Sequence, residues 1–129
     1  MDDIKNLVSV VIAVYKPNKV WLEKQLISLK QQTYQNLEFI ICDDCPSFPA
    51  DEKFIIESLS PHKCTFVRNE KNLGSNLTFE KLTSLANGKY ISYCDQDDIW
   101  DSDKIEKMLE VFEKNKKVSL VYSDLRVID

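Results

Sequence analysis

The run Leu7-Val-Ser-Val-Val-Ile-Ala-Val14 is nearly continuous and rich in β-branched side chains. A strand with one wet face would alternate apolar and polar positions. A run without alternation fits a strand covered on both faces, the condition of strands in parallel sheets. The downstream sequence supplies the covers. Asn18 can cap a helix through Gln32, with Val20, Leu22, Leu26, Ile27 and Leu29 on or near one stripe. Further strands are predicted at 37–42, 64–68, 90–94 and 118–122, and further helices at 51–59, 76–86 and 102–114. Ser60-Pro61 stops the second helix and Asn87-Gly88 the third. Strands alternating with helices predict an α/β fold, a three-layer sandwich with a mostly parallel sheet. No repeat, low-complexity tract or linker divides residues 1–129, which read as a single domain. The ending Asp124-Leu-Arg-Val-Ile-Asp129 is apolar and extended, so the polypeptide is expected to continue, with this chain as its N-terminal part.

Composition removes several function classes. Net charge is −4, with no basic block, which argues against a nucleic-acid partner. Only Gly74 and Gly88 are present, where average usage would give roughly nine. A P-loop or a dinucleotide-binding G-x-G-x-x-G needs several closely spaced glycines, so neither is available. A phosphorylated ligand would need another device to meet its charge. Cys42 and Cys45 form a lone C-x-x-C, and the single histidine, His62, has no partner for a zinc site. Cys42 and Cys94 end apolar runs and read as small core residues. Scattered cysteines, and an acidic Met1-Asp2-Asp3 where a secretory signal would be basic, predict a cytoplasmic chain.

In open parallel sheets, ligands bind beyond the carboxyl ends of the strands. Tyr15, Asp43-Asp44 and Asp95-Gln-Asp-Asp98 fall there. Crowded acids repel unless a cation is shared, so the last cluster suggests a divalent metal. The alternative is that Asp97 and Asp98 cap the next helix. A calcium loop counted from Asp95 fails, because Ile99 and Trp100 stand where an oxygen ligand and a glycine are required. Asp43-Asp44 is either a turn or a carboxylate gripping a base or ribose. Tyr15 is either a rim aromatic or a stacking face.

Several segments occur together in one order: Val8-Ser-Val-Val-Ile-Ala-Val-Tyr15, Gln31-Gln-Thr-Tyr34, Leu37-Glu-Phe-Ile-Ile-Cys-Asp-Asp44, Asn72-Leu-Gly74, Gly88-Lys-Tyr-Ile91 and Asp95-Gln-Asp-Asp-Ile-Trp100. The set resembles the N-terminal half of a family 2 glycosyltransferase of the GT-A fold. It is similar to bacterial enzymes that build surface polysaccharides, rhamnosyltransferases among them. The resemblance implies a Rossmann-like sheet in strand order 3-2-1-4, a UDP- or dTDP-linked sugar donor, and Mg²⁺ or Mn²⁺. It implies a saccharide or lipid-linked saccharide acceptor, with peripheral membrane association through segments outside this chain. By position, Ala13 and Tyr15 would line the base pocket, Asp44 would contact the uracil or thymine edge, and Asp95 would lie by the ribose and metal. Asp97 would be the principal metal ligand. The general base of inverting members is expected beyond Asp129, so no catalytic residue is nominated. Thr78 departs from the asparagine common in relatives, and Asp101-Ser102 from Leu-Pro. Two other readings remain at this point: a phosphohydrolase using Asp-x-Asp, and a non-catalytic nucleotide-binding module.

Overall fold

The computed structural model describes residues 6–115, and the strand expected at 118–122 lies outside them. The elements in order are β1 (Val8–Val14), α1 (Lys19–Lys30), β2 (Leu37–Asp43), α2 (Glu52–Leu59), β3 (Lys63–Arg68), α3 (Ser75–Leu85), β4 (Tyr90–Cys94) and α4 (Lys104–Lys114). The strands form one sheet in the order β3-β2-β1-β4, every neighbour parallel.

Strand periodicity divides the core into two layers. Val8, Val10, Ile12, Val14, Phe39 and Ile41 meet Leu22, Leu26 and Leu29 of α1, Ile55 and Leu59 of α2, and Ile105 of α4. Val11, Ile40 and Cys42 meet Leu82 and Phe79 of α3 on the opposite face. The central strands are therefore apolar without alternation because both faces are covered, and each fully buried Leu, Ile or Phe contributes about 1.5–3 kcal/mol. The direction of travel explains the split. The chain steps outward from β1 to β2 to β3, then returns past β1 to place β4. Right-handed crossovers in opposite directions put their helices on opposite faces.

Local signals fix the helix starts. Asn18 Oδ1 accepts from the N–H groups of Val20 and Trp21 at 3.0 and 3.2 Å. Asp51 Oδ1 accepts from Phe54 N–H at 3.0 Å. Gly74 opens α3 at φ 87, a left-handed conformation that glycine adopts without a Cβ penalty.

Gly88 does not serve as the stop of α3, which ends at Leu85 with Ala86 as its cap. Its missing Cβ is used for close approach. A methyl group there would lie 2.6 Å from Leu7 O and 2.8 Å from Ser9 N. The Gly88 N–H donates to Ser9 Oγ at 2.8 Å, and the Ser9 hydroxyl donates to the buried Glu38 carboxylate. Asn87 adds its backbone N–H and side-chain amide to Glu38 at 2.8 and 3.1 Å. Burial pushes the Glu38 carboxyl up, but the bonds from Ser9 and Asn87, with Lys63, hold it below the usual range. Gly88→Ala should therefore destabilise the chain by about 1–3 kcal/mol in urea melts, because backbone rather than a flexible side chain must give way. A smaller loss is expected for Gly74→Ala, where a Cβ meets nothing within 4 Å and only the backbone conformation is strained.

Candidate functional site

Because all four strands run the same way, their carboxyl ends share one edge of the sheet. Tyr15 follows β1, Asp44 follows β2, Asn69 follows β3 and Asp95 follows β4. Strand order reverses at β1, so the seam between β1 and β4 is the topological switch point. The last backbone pair across it is Ile12 with Cys94. Beyond that pair a side chain takes over. Gln96 Oε1 accepts from Tyr15 N–H at 2.6 Å, and Gln96 Nε2 donates to Tyr15 O at 3.1 Å. Among the described residues, the non-glycine positions in the left-handed region are Lys16 (φ 47) and Asp97 (φ 70), and they flank this seam. Each such backbone costs about 1–3 kcal/mol and persists where surrounding structure enforces it, often at functional sites.

The two acids after β2 have different partners. Asp43 is fully buried and accepts from Arg68 Nε at 3.0 Å, Cys45 N–H at 3.0 Å and Ala50 N–H at 2.8 Å. Asp44 is 5% exposed. Its Oδ1 accepts from Asn69 Nδ2 at 2.8 Å and Leu73 N–H at 2.7 Å, and its Oδ2 from Asn72 Nδ2 at 3.1 Å and Gly74 N–H at 2.9 Å. Burial raises the Asp44 pKa, but Leu73, Asn69, Gly74 and the Thr78 hydroxyl outweigh it and hold the carboxyl below the usual range. A carboxylate offers about four acceptor sites, and this one is filled by the chain itself. Thr78 is fully buried and has a polar role: its Oγ1 accepts from Asn69 Nδ2 at 3.2 Å.

In the loop after β4, Asp95 and Asp97 are exposed and Asp98 is half-buried. Burial pushes the Asp98 carboxyl up, Asp95 and Asp97 push it further, and Lys104 opposes them. The capping alternative fails for Asp97 and Asp98, since α4 starts at Lys104 with Asp103 at its N-cap position. Among the described residues no three His, Cys, Asp or Glu side chains converge as a metal site. Two exposed carboxylates do suit a Mg²⁺ or Mn²⁺ ion that takes its remaining ligands from phosphates and water. Ala13 is half-buried near the end of β1, paired with Cys42, and Tyr15 is 46% exposed with the Lys16 ammonium 5.4 Å from its ring centre.

Residues 9–126 match the family described as Glycosyl transferase family 2. The chain belongs to that family. It is 36% identical over 126 residues to an uncharacterized glycosyltransferase of Methanocaldococcus jannaschii, covering 97% of this chain and 43% of that protein. It is 29% identical over 129 residues to the Escherichia coli UDP-Glc:alpha-D-GlcNAc-diphosphoundecaprenol beta-1,3-glucosyltransferase WfgD, covering 100% of this chain and 49% of that one. This family 2 chain thus spans less than half the length of both relatives. Its fold matches a mannosyltransferase of Pyrobaculum calidifontis solved with GDP-Man and Mn²⁺, at TM-score 0.72 and 19% identity over 81% of this chain and 32% of that one. The GT-A arrangement and strand order expected of the family are those observed. A phosphohydrolase reading is set aside: its acidic pair would follow the first strand, whereas Asp95 and Asp97 follow β4.

The geometry also accounts for a family 2 segment that has no evident role in the sequence. In Gln31-Gln-Thr-Tyr34, Gln32 Nε2 donates to Asp101 O at 2.7 Å and Gln32 Oε1 accepts from Ile105 N–H at 3.1 Å. Thr33 N–H donates to Ser102 O at 2.7 Å, and Tyr34 Oη to Asn6 O at 2.6 Å. Earlier on α1, Gln25 Nε2 donates to Asp95 O at 2.7 Å and Ser28 Oγ accepts from Trp100 N–H at 3.1 Å. Sequence reasoning gives no role of their own to Gln25, Ser28, Gln32 or Gln96. The available signal on α1 is a pair of polar side chains at i and i+3, Gln25 and Ser28, in phase with Leu22, Leu26 and Leu29 on its buried stripe.

Proposed function

We propose that this family 2 chain is the donor-binding half of an inverting glycosyltransferase. It takes a UDP- or dTDP-linked sugar and serves the synthesis of a bacterial surface polysaccharide. The observation that carries this reading is the meeting of an exposed aromatic, a carboxylate-held turn and an exposed acid pair at one switch-point edge. Ala13 and Tyr15 line the base pocket, with Tyr15 offering its ring for stacking. Asp44 serves the pocket through the Asn72-Leu73-Gly74 turn that its carboxylate holds. A pyrimidine N3–H reaching Asp44 would share an oxygen already bonded within the chain. Asp95 lies by the ribose and metal, and Asp97 is the principal ligand of Mg²⁺ or Mn²⁺. Bound there, the ion would neutralise the diphosphate and stabilise it as a leaving group, in place of the glycine loop that a chain with two glycines lacks. The acceptor is a saccharide or lipid-linked saccharide, and the enzyme works at the cytoplasmic face of the membrane. Among the described residues no helix is long and apolar enough to cross it. The general base lies beyond Asp129.

Calorimetry with UDP and Mn²⁺ tests this reading. Adding chelator should weaken binding to the wild-type chain at least about tenfold, the scale of one lost charged contact. Asp97→Asn keeps the shape, removes the charge, and should bind weakly with or without chelator. UDP should bind more tightly than ADP. An unchanged wild-type affinity in chelator would defeat the metal assignment.

A further inference from the structure

We propose that Gln25 and Ser28 of α1, with Gln32 just beyond its C-terminus, are positioning residues that hold the acid loop in its ligand-binding form. This inference rests on the donor reading of Asp95 and Asp97 given above. Gln25 and Ser28 lie on the buried face of α1 and Gln32 just past its C-cap, Gln31, and each is at most 8% exposed. They take hold of the loop at its beginning, its end and the helix beyond. Gln25 Nε2 meets the carbonyl of Asp95, where β4 gives way to the loop, at 2.7 Å. Ser28 Oγ receives the N–H of Trp100, and Gln32 Nε2 meets the carbonyl of Asp101 at 2.7 Å. Gln32 Oε1 then receives the N–H of Ile105 in the first turn of α4. That last bond stands in for a missing cap, because Asp103 makes no side-chain capping bond of its own. Helix α4 therefore has one of its first-turn donors satisfied from the segment that follows α1.

Such an arrangement exceeds what packing of α1 requires. Leucines at these positions would bury more apolar area, whereas amides and a hydroxyl reach backbone atoms and fix their positions. Between the two held ends, the loop carries Asp97 at φ 70, a conformation it would leave if its ends were free. The ladder holds both ends of the segment from which Asp95 and Asp97 project. It acts through backbone, so it touches neither nucleotide nor ion.

The test uses the full chain with three variants. Gln25→Met keeps volume and removes the donor to Asp95 O. Ser28→Ala is a mild change in a helix and removes the acceptor for Trp100 N–H. Ile55→Val trims the core from α2, makes no hydrogen bond to the loop, and controls for lost stability. Hydrogen–deuterium exchange without ligand should show faster exchange at Asp98 in Gln25→Met and at Trp100 in Ser28→Ala, and none of this in Ile55→Val. Calorimetry with UDP and Mn²⁺ should show affinity reduced about 10–100-fold for Gln25→Met, the usual effect of removing a group that orients a metal ligand. Ile55→Val should bind as wild type does. Wild-type affinity in Gln25→Met and Ser28→Ala would overturn the proposal, as would exchange that rises evenly over the chain. If the wild type binds no UDP with Mn²⁺, the donor reading fails, and the exchange measurement still decides. Faster exchange confined to residues 95–105 supports positioning by α1, and unchanged exchange there overturns it.

Discussion

Asp44→Asn should destabilise the chain by about 2–4 kcal/mol, although it alters a single atom. The wild-type carboxylate accepts two bonds on each oxygen, from Asn69, Leu73, Asn72 and Gly74. An amide keeps one acceptor and turns an NH₂ toward the other two donors. Two donors then lose their partner at a carboxyl that is 5% exposed, at about 1–2 kcal/mol each. In a chain of this size the melting temperature should fall on the order of 10 °C. The pH dependence comes from the direction of the shift. The folded Asp44 pKa lies below its ordinary value of 3.8, so its stabilisation is complete above that range and disappears as pH falls through the folded value. The gap between wild type and Asp44→Asn should thus be widest above about pH 5 and narrow on acidification. If Asp44 were only a base reader, the variant would lose UDP affinity and melt like wild type. Thermal melts at pH 7 and pH 3, with UDP titrations, separate the two.

A second large effect is expected at Asp43. Removing the carboxylate with Asp43→Ala leaves Cys45 N–H, Ala50 N–H and the Arg68 guanidinium without their acceptor, and should cost about 3–5 kcal/mol. Arg68→Met should cost less. The Arg68 side chain is 32% exposed, and Asp43 keeps two backbone donors when it is gone. Urea melts of both variants and the double mutant measure the coupling, which should be near 1–3 kcal/mol. Equal losses for the two single variants would mean that the carboxylate acts only through its ion pair and not through the loop at 45–50.

The parallel sheet is legible because β1 and β2 state their burial directly: their apolar residues do not alternate, and helical stripes come after each of them. The helix start at Asn18 is legible from its capping residue, whereas Asp51, read as the first residue of the second helix, is its N-cap. The acids are legible by position, since an aspartate after a strand in such a sheet falls on the ligand edge. What holds them is not. The partners of Asp44 come from 25 to 30 residues downstream, and nothing local to Asp43-Asp44 announces Asn69, Asn72 or the N–H groups of Leu73 and Gly74. Gln25 and Gln32 are hidden for another reason. A hydrophobic pattern registers leucines and treats a glutamine among them as an interruption, although both are buried completely enough to count as core. Gly88 reads as a helix stop because a glycine after a helix usually ends it. Its true neighbours, Leu7 and Ser9, lie at the start of the first strand.

Gln96 sits between Asp95 and Asp97, and its amide turns one N–H donor and its carbonyl acceptor to Tyr15, the pair a peptide group would offer. By bonding both ways to Tyr15 it extends the ladder of β1 and β4 by a rung after the chain itself has turned away. A rung made of main chain opens only if two strands part. This one opens by rotation about side-chain bonds, with the sheet beneath it intact. The carboxyl end of this seam is therefore fastened by a latch rather than a weld, and the latch can open while the pairs from Val8 to Ile12 stay closed.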